Sequence, residues 1–514
     1  MLRKLQRKRN VARRGSARLP TVHRARSLAR TLPTFGHEKH QQQQHVTDDL
    51  IVEAVGGRAE PLKAAMQDSK TSLGLRKLIP EEKAKMLSVG VFLFLSYSTA
   101  PVVLGVPPIK IQPEQVHLSY PGVYGSMMVT WTTFDEADSM VEYGLLGGKL
   151  FEMMAKGSST IFVDGGSEKR KLFIHRVTLS ALRPGFTYVY HCGSGAGWSD
   201  IFYFTALNES SDWSPRFALF GDMGNENPQS LARLQKETQV GMYDVILHIG
   251  DFAYDMDEDN ARIGDEFMRQ VESIAAYVPY MTCPGNHENS YNFSNYRYRF
   301  SMPGDTEGLW YSWNVGPAHL ISFSTEVYFY TDYGLDLIVK QYEWLKKDLE
   351  ESNKPENRKS RPWIITMGHR PMYCSNNDHD DCTKFESLVR KGLENLFYLN
   401  GVDLELWAHE HTYERLWPVY GFMVYNGSRE EPYVNPKAPV HIITGSAGCR
   451  EKHDGFIPDP RDWSAFRNSD YGYTRMQVFN STHLYLEQVS DDQNGKVIDS
   501  MWLVKEQHGV VAWV

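Results

Sequence analysis

Cysteine is scarce in this chain, with five in 514 residues. They stand at positions 192, 283, 374, 382 and 449, too few for a disulfide scaffold, and the absence of a cysteine cluster excludes a structural zinc finger. No internal repeat is visible, which removes repeat architectures. Acidic residues are missing from the start: residues 1–30 carry eleven Lys/Arg and no Asp or Glu, and residues 31–105 balance to zero. Against a total of −8, residues 106–514 therefore carry −19. An acidic body argues against a nucleic-acid partner for the globular part, because phosphate backbones need cationic surface. What is present is ordinary globular composition, 41% hydrophobic and 12% aromatic, in a chain long enough for two or more domains.

Residues 1–85 open Arg-rich, pass through a glutamine run at 41–44, and show no sustained hydrophobic period. They read as a disordered leader, with an organelle transit peptide as the alternative. Met86–Gly105 (MLSVGVFLFLSYSTAPVVLG) comes after Lys83 and Lys85 with an apolar heart and then small residues. That is the plan of a secretory signal peptide, lying far too deep in the chain for an ordinary one. The simplest reconciliation makes Met86 the biological start and 1–85 an upstream extension. The alternative is an uncleaved signal anchor, the one circumstance in which a stable membrane partner is expected. Either reading places the chain beyond Val106 outside the cytosol, secreted or lysosomal. There Cys374 and Cys382 can bridge a short loop, and the sequons at Asn208, Asn292, Asn426 and Asn480 can carry N-glycans.

Residues 108–207 contain short runs rich in Val, Ile, Thr and aromatics, at 127–133, 141–146, 159–166, 173–180, 187–194 and 201–207. Their spacing predicts an antiparallel β-sandwich. Leu182-Arg183-Pro184 with Tyr188 resembles the tyrosine corner of fibronectin type III domains, and no titratable cluster appears, so this region reads as an accessory domain. Residues 214–505 change texture. Apolar strands alternate with helical stretches at 231–239, 265–277, 341–352 and 385–399, and after Pro439 the chain returns to strands. That alternation predicts an α/β domain.

Within it, five apolar runs end abruptly in Asp, Asn or His: FALFGDMG (217–224), VILHIGDFAYD (245–255), VPYMTCPGNHE (278–288), WIITMGH (363–369) and VDLELWAHEH (402–411). Strands that stop on such residues place them at the carboxyl edge of a sheet, where α/β folds build ligand sites. One ending is weak; five point to a single metal site assembled from several strands. Asp222 and Asp251 supply charge, Asn286 a neutral carbonyl, and His369, His409 and His411 imidazoles, a donor set for hard or borderline metals. Two apart in an extended segment, His409 and His411 share a face and can reach neighbouring ions. A pair of cations about 3.5–4 Å apart needs an anionic bridge, for which Asp251 is well placed. His287 and His379 can then grip phosphate or protonate a leaving alkoxide. His248 and His319, inside apolar runs, read as satisfied structural histidines.

The ordered blocks GDMG, GDFAY, GNHE, TMGH and AHEH resemble those of the purple acid phosphatases, a branch of the calcineurin-like metallophosphoesterases, over roughly Pro108 to the C-terminus. The resemblance implies a fibronectin III-like β-sandwich followed by a four-layer α/β/β/α metallophosphoesterase domain. It also implies a binuclear centre of Fe(III) with a divalent Fe, Zn or Mn ion. Carried over by motif, Asp222, Tyr254 and His411 would hold the ferric ion and Asn286, His369 and His409 the divalent one, with Asp251 bridging. Tyr254 distinguishes this branch, whose iron tyrosinate gives the purple colour. His287 and, in the plant-like two-domain form, His379 match the outer phosphate histidines; a Cys374–Cys382 bridge would pin the loop carrying His379. Two positions depart from the pattern, Ala408 for glycine and Thr366 for valine, and neither supplies a ligand. The overall form is similar to animal members of the long, plant-like class.

These features predict an acid phosphatase hydrolysing phosphate monoesters by in-line attack of a metal-bound hydroxide. One competing reading keeps the site and makes the substrate a phosphodiester or nucleotide. Another is a non-catalytic binding module, whose signature would be a damaged Asp251 or His409; both are intact.

Overall fold

Buried on both faces, the apolar runs form two stacked sheets. In the first, Val245–Ile249 lies parallel between Arg216–Phe220 and Tyr280–Cys283. That sheet continues antiparallel through Gly472–Val478, His483–Ser490 and Lys496–Val504. The second runs in the order Tyr311–Val315, Ala318–Ser322, Trp363–Met367, Leu404–Trp407, Val440–Thr444, Tyr413–Leu416, Ser464–Asn468, with its middle four strands from Ala318 to Thr444 parallel. The computed structural model describes residues 109–208 and 210–513, which belong to one compact unit. The expected leader (1–85) and signal or anchor (86–105) lie outside them. Among the described residues no helix is long and apolar enough to cross a membrane.

Strand alternation sorts the side chains. Phe217, Leu219, Val245, Leu247 and Ile249 meet Trp363, Ile365, Met367, Leu404 and Leu406 in the core between the sheets. Ala218, Phe220, Ile246 and Ile364 face the other way, into a core shared with the helices. Phe267 of the helix Glu258–Ala275 meets His248 of the first sheet, and Phe397 of Leu388–Leu399 meets Phe323 beside the second. Helices therefore cover both outer faces, giving the four layers α/β/β/α. The helix expected over 265–277 begins earlier because Asp259, Asn260 and Ala261 form a left-handed opening turn (φ 48–65°). After Pro439 the chain does return to strands, and residues 472–490 form a hairpin that turns where Asn480 Oδ1 accepts the N–H groups of Thr482 and His483. The hairpin Tyr311–Val315/Ala318–Ser322 was not legible as strands; Gly316, at φ 52°, makes its turn.

Residues 114–205 form the β-sandwich, two sheets of antiparallel strands around Val129, Trp131, Val141, Val177, Tyr190 and Phe204. Tyr188 Oη accepts the Arg183 N–H at 2.9 Å, the hydrogen bond of a tyrosine corner. Buried polar contacts lock the sandwich to the helix Glu258–Ala275. Glu272 accepts Val116 N–H at 2.7 Å, Tyr190 Oη donates to Ala276 O at 2.7 Å, and Asp265 pairs with Arg170 and Arg299 at 2.6 and 2.9 Å.

Candidate metal centre

All seven residues proposed as ligands stand just beyond the carboxyl ends of five parallel strands. Asp222 follows Arg216–Phe220; Asp251 and Tyr254 follow Val245–Ile249; Asn286 follows Tyr280–Cys283. His369 follows Trp363–Met367, and His409 and His411 follow Leu404–Trp407. Reaching one point from five strands bends the backbone hard. Asp222, Asp251, Tyr254 and His409 all adopt left-handed conformations, with φ of 57, 53, 52 and 70°. Each costs roughly 1 kcal/mol or more in a non-glycine residue, and such costs concentrate at functional sites. Gly250 is required for close approach, since a Cβ there would lie 2.5 Å from His369 Nδ1. A Cβ on Gly221 would meet that of Ala408 at 2.4 Å, so a glycine across the gap accommodates the alanine that departs from the motif.

The donor atoms fall into two adjoining groups. His369 Nε2 lies 3.1 Å from both Asn286 Oδ1 and Asp251 Oδ2, and 3.2 Å from His409 Nδ1. Tyr254 Oη lies 2.8 Å from His411 Nε2 and 3.2 Å from Asp222 Oδ1. Asp222 Oδ1, 4.0 Å from His369 Nε2, joins the groups. The far nitrogens set which lone pairs face inward. His369 Nδ1 lies 2.9 Å from Ile249 O and His411 Nδ1 lies 2.8 Å from Lys452 O. Carbonyls only accept, so those nitrogens carry hydrogen, and in the neutral ring each Nε2 holds the lone pair a metal would take. His409 is reversed: Nδ1 faces the cluster and Nε2 is 2.7 Å from Asp380 Oδ2. Arg370 Nη1 is 2.9 Å from the same nitrogen, but a cation on Nδ1 leaves hydrogen on Nε2, which suits Asp380; Arg370 then pairs with Asp380 and Glu326.

Electrostatics identify what the cluster lacks. Burial pushes Asp222 up to about 7 and, with Asp222 and Asp251 nearby, drives the Tyr254 phenol well above its usual range. Burial would lower His369, but Asp251 outweighs it and raises it to about 9. Protons thus stand where positive charge is needed, in a buried set of O and N donors suited to metal cations that would displace them. Two carboxylates, a phenol, an amide and three imidazoles are a donor set that fits two adjoining ions.

Around this set stand residues that motif reading missed. Glu288, fully buried, accepts the N–H groups of Asp251, Phe252 and Gly285 at 2.9, 3.0 and 2.8 Å, clamping the turn that carries Asp251. His287 N–H donates to Asp251 Oδ1, its ring packs on Tyr254, and its Nδ1 lies 2.8 Å from Asp255 Oδ1. Asp255, at φ 147°, is held in turn by Arg450 at 3.0 Å. Burial lowers His287, but Asp251 and Asp255 together lift it to about 10. Only the last acid of GDFAYD and the final letter of GNHE hinted at these partners.

His379 is not brought into contact with the cluster. It is exposed on the loop closed by the Cys374–Cys382 disulfide, and among the described residues it makes no hydrogen bond or ion pair. Its neighbour Asp380 is the residue that reaches His409. His319 is satisfied by Asn314 and Asp348, both at 2.8 Å. His248 is satisfied only at Nδ1, by Tyr280 Oη; its buried Nε2 has no partner.

Comparison with known proteins agrees with this architecture segment by segment. Residues 113–206 match the purple acid phosphatase N-terminal domain, 215–413 the calcineurin-like phosphoesterase family, and 438–500 the iron/zinc purple acid phosphatase-like protein C family. Acid phosphatase type 7 of Danio rerio is 74% identical over 417 residues, covering 79% of this chain and 94% of that protein. The Homo sapiens protein of the same name is 60% identical over 413 residues, covering 79% and 93%. A purple acid phosphatase from yellow lupin (Lupinus luteus) seeds superposes with a TM-score of 0.66 at 26% identity, over 77% of this chain and 75% of that one. With the β-sandwich, the four-layer domain and the strand-end donor set all in place, the chain belongs to the purple acid phosphatase family of calcineurin-like phosphoesterases.

Proposed function

We propose that this acid phosphatase hydrolyses phosphate monoesters at a binuclear Fe(III)–M(II) centre, by in-line displacement. The convergence of seven O and N donors from five strand ends supports this most directly. Asp222, Tyr254 and His411 would hold the ferric ion, and Asn286, His369 and His409 the divalent Fe, Zn or Mn ion, with Asp251 shared. When bound, the pair supplies the Lewis acidity and the activated water that phosphoryl transfer needs.

The chain's own groups do the rest. His287 presents Nε2–H toward the cluster, 3.9 Å from Asp251 Oδ2, while Asp255 fixes its Nδ1. It is therefore a charged donor to a phosphoryl oxygen and the source of the proton for the leaving oxygen. His379, on its disulfide-closed loop, is free to approach the same phosphate from the solvent side. Protonated His287 is held up to about pH 10, so its loss sets only the far alkaline limit of activity, and the expected acid optimum rests on the ferric assignment. We further propose a secreted or lysosomal setting, which the Cys374–Cys382 disulfide favours.

Turnover of a phosphate monoester and a diester with the same leaving group, measured from pH 4 to 9, tests the reading. A strong monoester preference with an acid optimum is expected. Equal or faster diester cleavage, or a flat pH profile, would contradict it.

A further inference from the structure

Glu410 stands between His409 and His411, yet the proposed reaction makes no use of it. It is fully buried, and its Oε2 has no hydrogen-bond donor. One oxygen each from Asp378, Glu410 and Asp454 lie within 4.8 Å of one another. Asp454 comes from the loop after Val440–Thr444 and accepts the His411 N–H at 2.6 Å. Asp378 is exposed on the disulfide-closed loop and accepts the Asp380 N–H at 3.2 Å. The contrast with Asp380 is instructive: Arg370 and His409 pair with that carboxylate, whereas among the described residues no Lys or Arg forms an ion pair with any of the three.

Three carboxylates this close repel one another, and a buried one with an undonated oxygen is costly unless something positive sits between them. A cation satisfies that need; so does a proton shared between Glu410 and Asp378, whose carboxyl groups approach each other.

We propose that Asp378, Glu410 and Asp454 bind a third, hard divalent cation of the calcium or magnesium class, outside the binuclear centre. All three donors are oxygens on loops, and the Asp378 side is open to water, which suits a flexible, partly hydrated ion. The sulfurs of Cys374 and Cys382 also lie near Glu410 but are tied in the disulfide and are not ligands. The ion fastens two loops, one carrying His379 and the other Lys452, to the segment that holds His409 and His411. Calcium thereby steadies the rim of the centre without joining the chemistry.

The test is a CaCl2 titration of the full chain with its transition metals loaded, reading bound calcium and the thermal unfolding midpoint, for the wild type, Asp378→Asn and Glu410→Gln. The expected result is a further calcium equivalent in the wild type and a rise of a few degrees in the midpoint. Asp378→Asn should weaken that response at least tenfold and Glu410→Gln abolish it, with iron content and visible absorption unchanged in both. A wild type that neither takes up calcium nor shifts its midpoint overturns the proposal in favour of the shared proton. Calcium uptake that survives both substitutions overturns it too, by placing the ion elsewhere.

Discussion

The strand Leu404–Trp407 carries a buried charged cluster at each end, and the two are built differently. At its amino end Asp403 meets Lys505, His508 at 3.2 Å and Arg358 at 3.4 Å, and accepts the Ile364 N–H at 2.9 Å. Burial alone would raise that carboxyl, but these cations outweigh it and hold it well below the usual range. At its carboxyl end His409 and His411 meet Asp222 and Asp251 with no Lys or Arg ion-paired to either carboxylate among the described residues. Protons settle on Asp222, Tyr254 and His369 instead. The first cluster is electrically complete and fastens the C-terminal tail. The second is incomplete by itself, and its strained backbone shows a geometry kept for a purpose other than stability.

Substitutions at the two ends should therefore fail in different ways. Asp251→Asn should lower kcat/KM by roughly a thousandfold or more, because the anion proposed to be shared by the two ions is lost. The same change should cost the metal-free protein less than Asp403→Asn does, because His369 can shed its proton once Asp251 no longer holds it. Asp403→Asn should do the reverse: about 3–5 kcal/mol of destabilisation in denaturant unfolding, because Lys505 is left buried and unpaired, with metal content unchanged. Its pH signature comes from a depressed folded-state pKa. The stabilisation is fully present above the unfolded carboxylate value of about 3.9 and is lost as pH falls below it. Wild type and Asp403→Asn should thus differ most near neutrality and converge in acid.

Smaller effects should sharpen the contrast. Glu288→Gln should weaken metal retention about 10–100-fold, since it loosens the turn under Asp251 without altering a proposed ligand side chain. Asp255→Asn should cost about tenfold in kcat and move the alkaline limb of the pH–rate profile to lower pH, because His287 loses the carboxylate that holds its proton. An unchanged alkaline limb would show that Asp255 does not govern the His287 proton.

How much of this could be read from the chain differs for the two ends. The convergence of the proposed ligands was legible because each follows an apolar run, so strand register alone delivers it to a sheet edge. The tyrosine corner was legible for a similar reason, as a local pattern. Glu288, Asp255 and Asp380 were not, since their roles depend on contacts between loops that no periodicity encodes. The latch at Asp403 was equally hidden, because Lys505 lies 102 positions away. Position 379 shows the limit of spacing: it selects the right loop, but the side chain turned inward is Asp380.

Whether the strand-end cluster is an iron centre is decided by the visible absorption spectrum of the purified protein, with metal analysis on the same sample, for the wild type and Tyr254→Phe. A broad tyrosinate-to-iron band with about two metals per chain is expected in the wild type, and loss of the band in the variant. A colourless wild type that still holds two metals would contradict the iron assignment and leave Tyr254 as a packing residue.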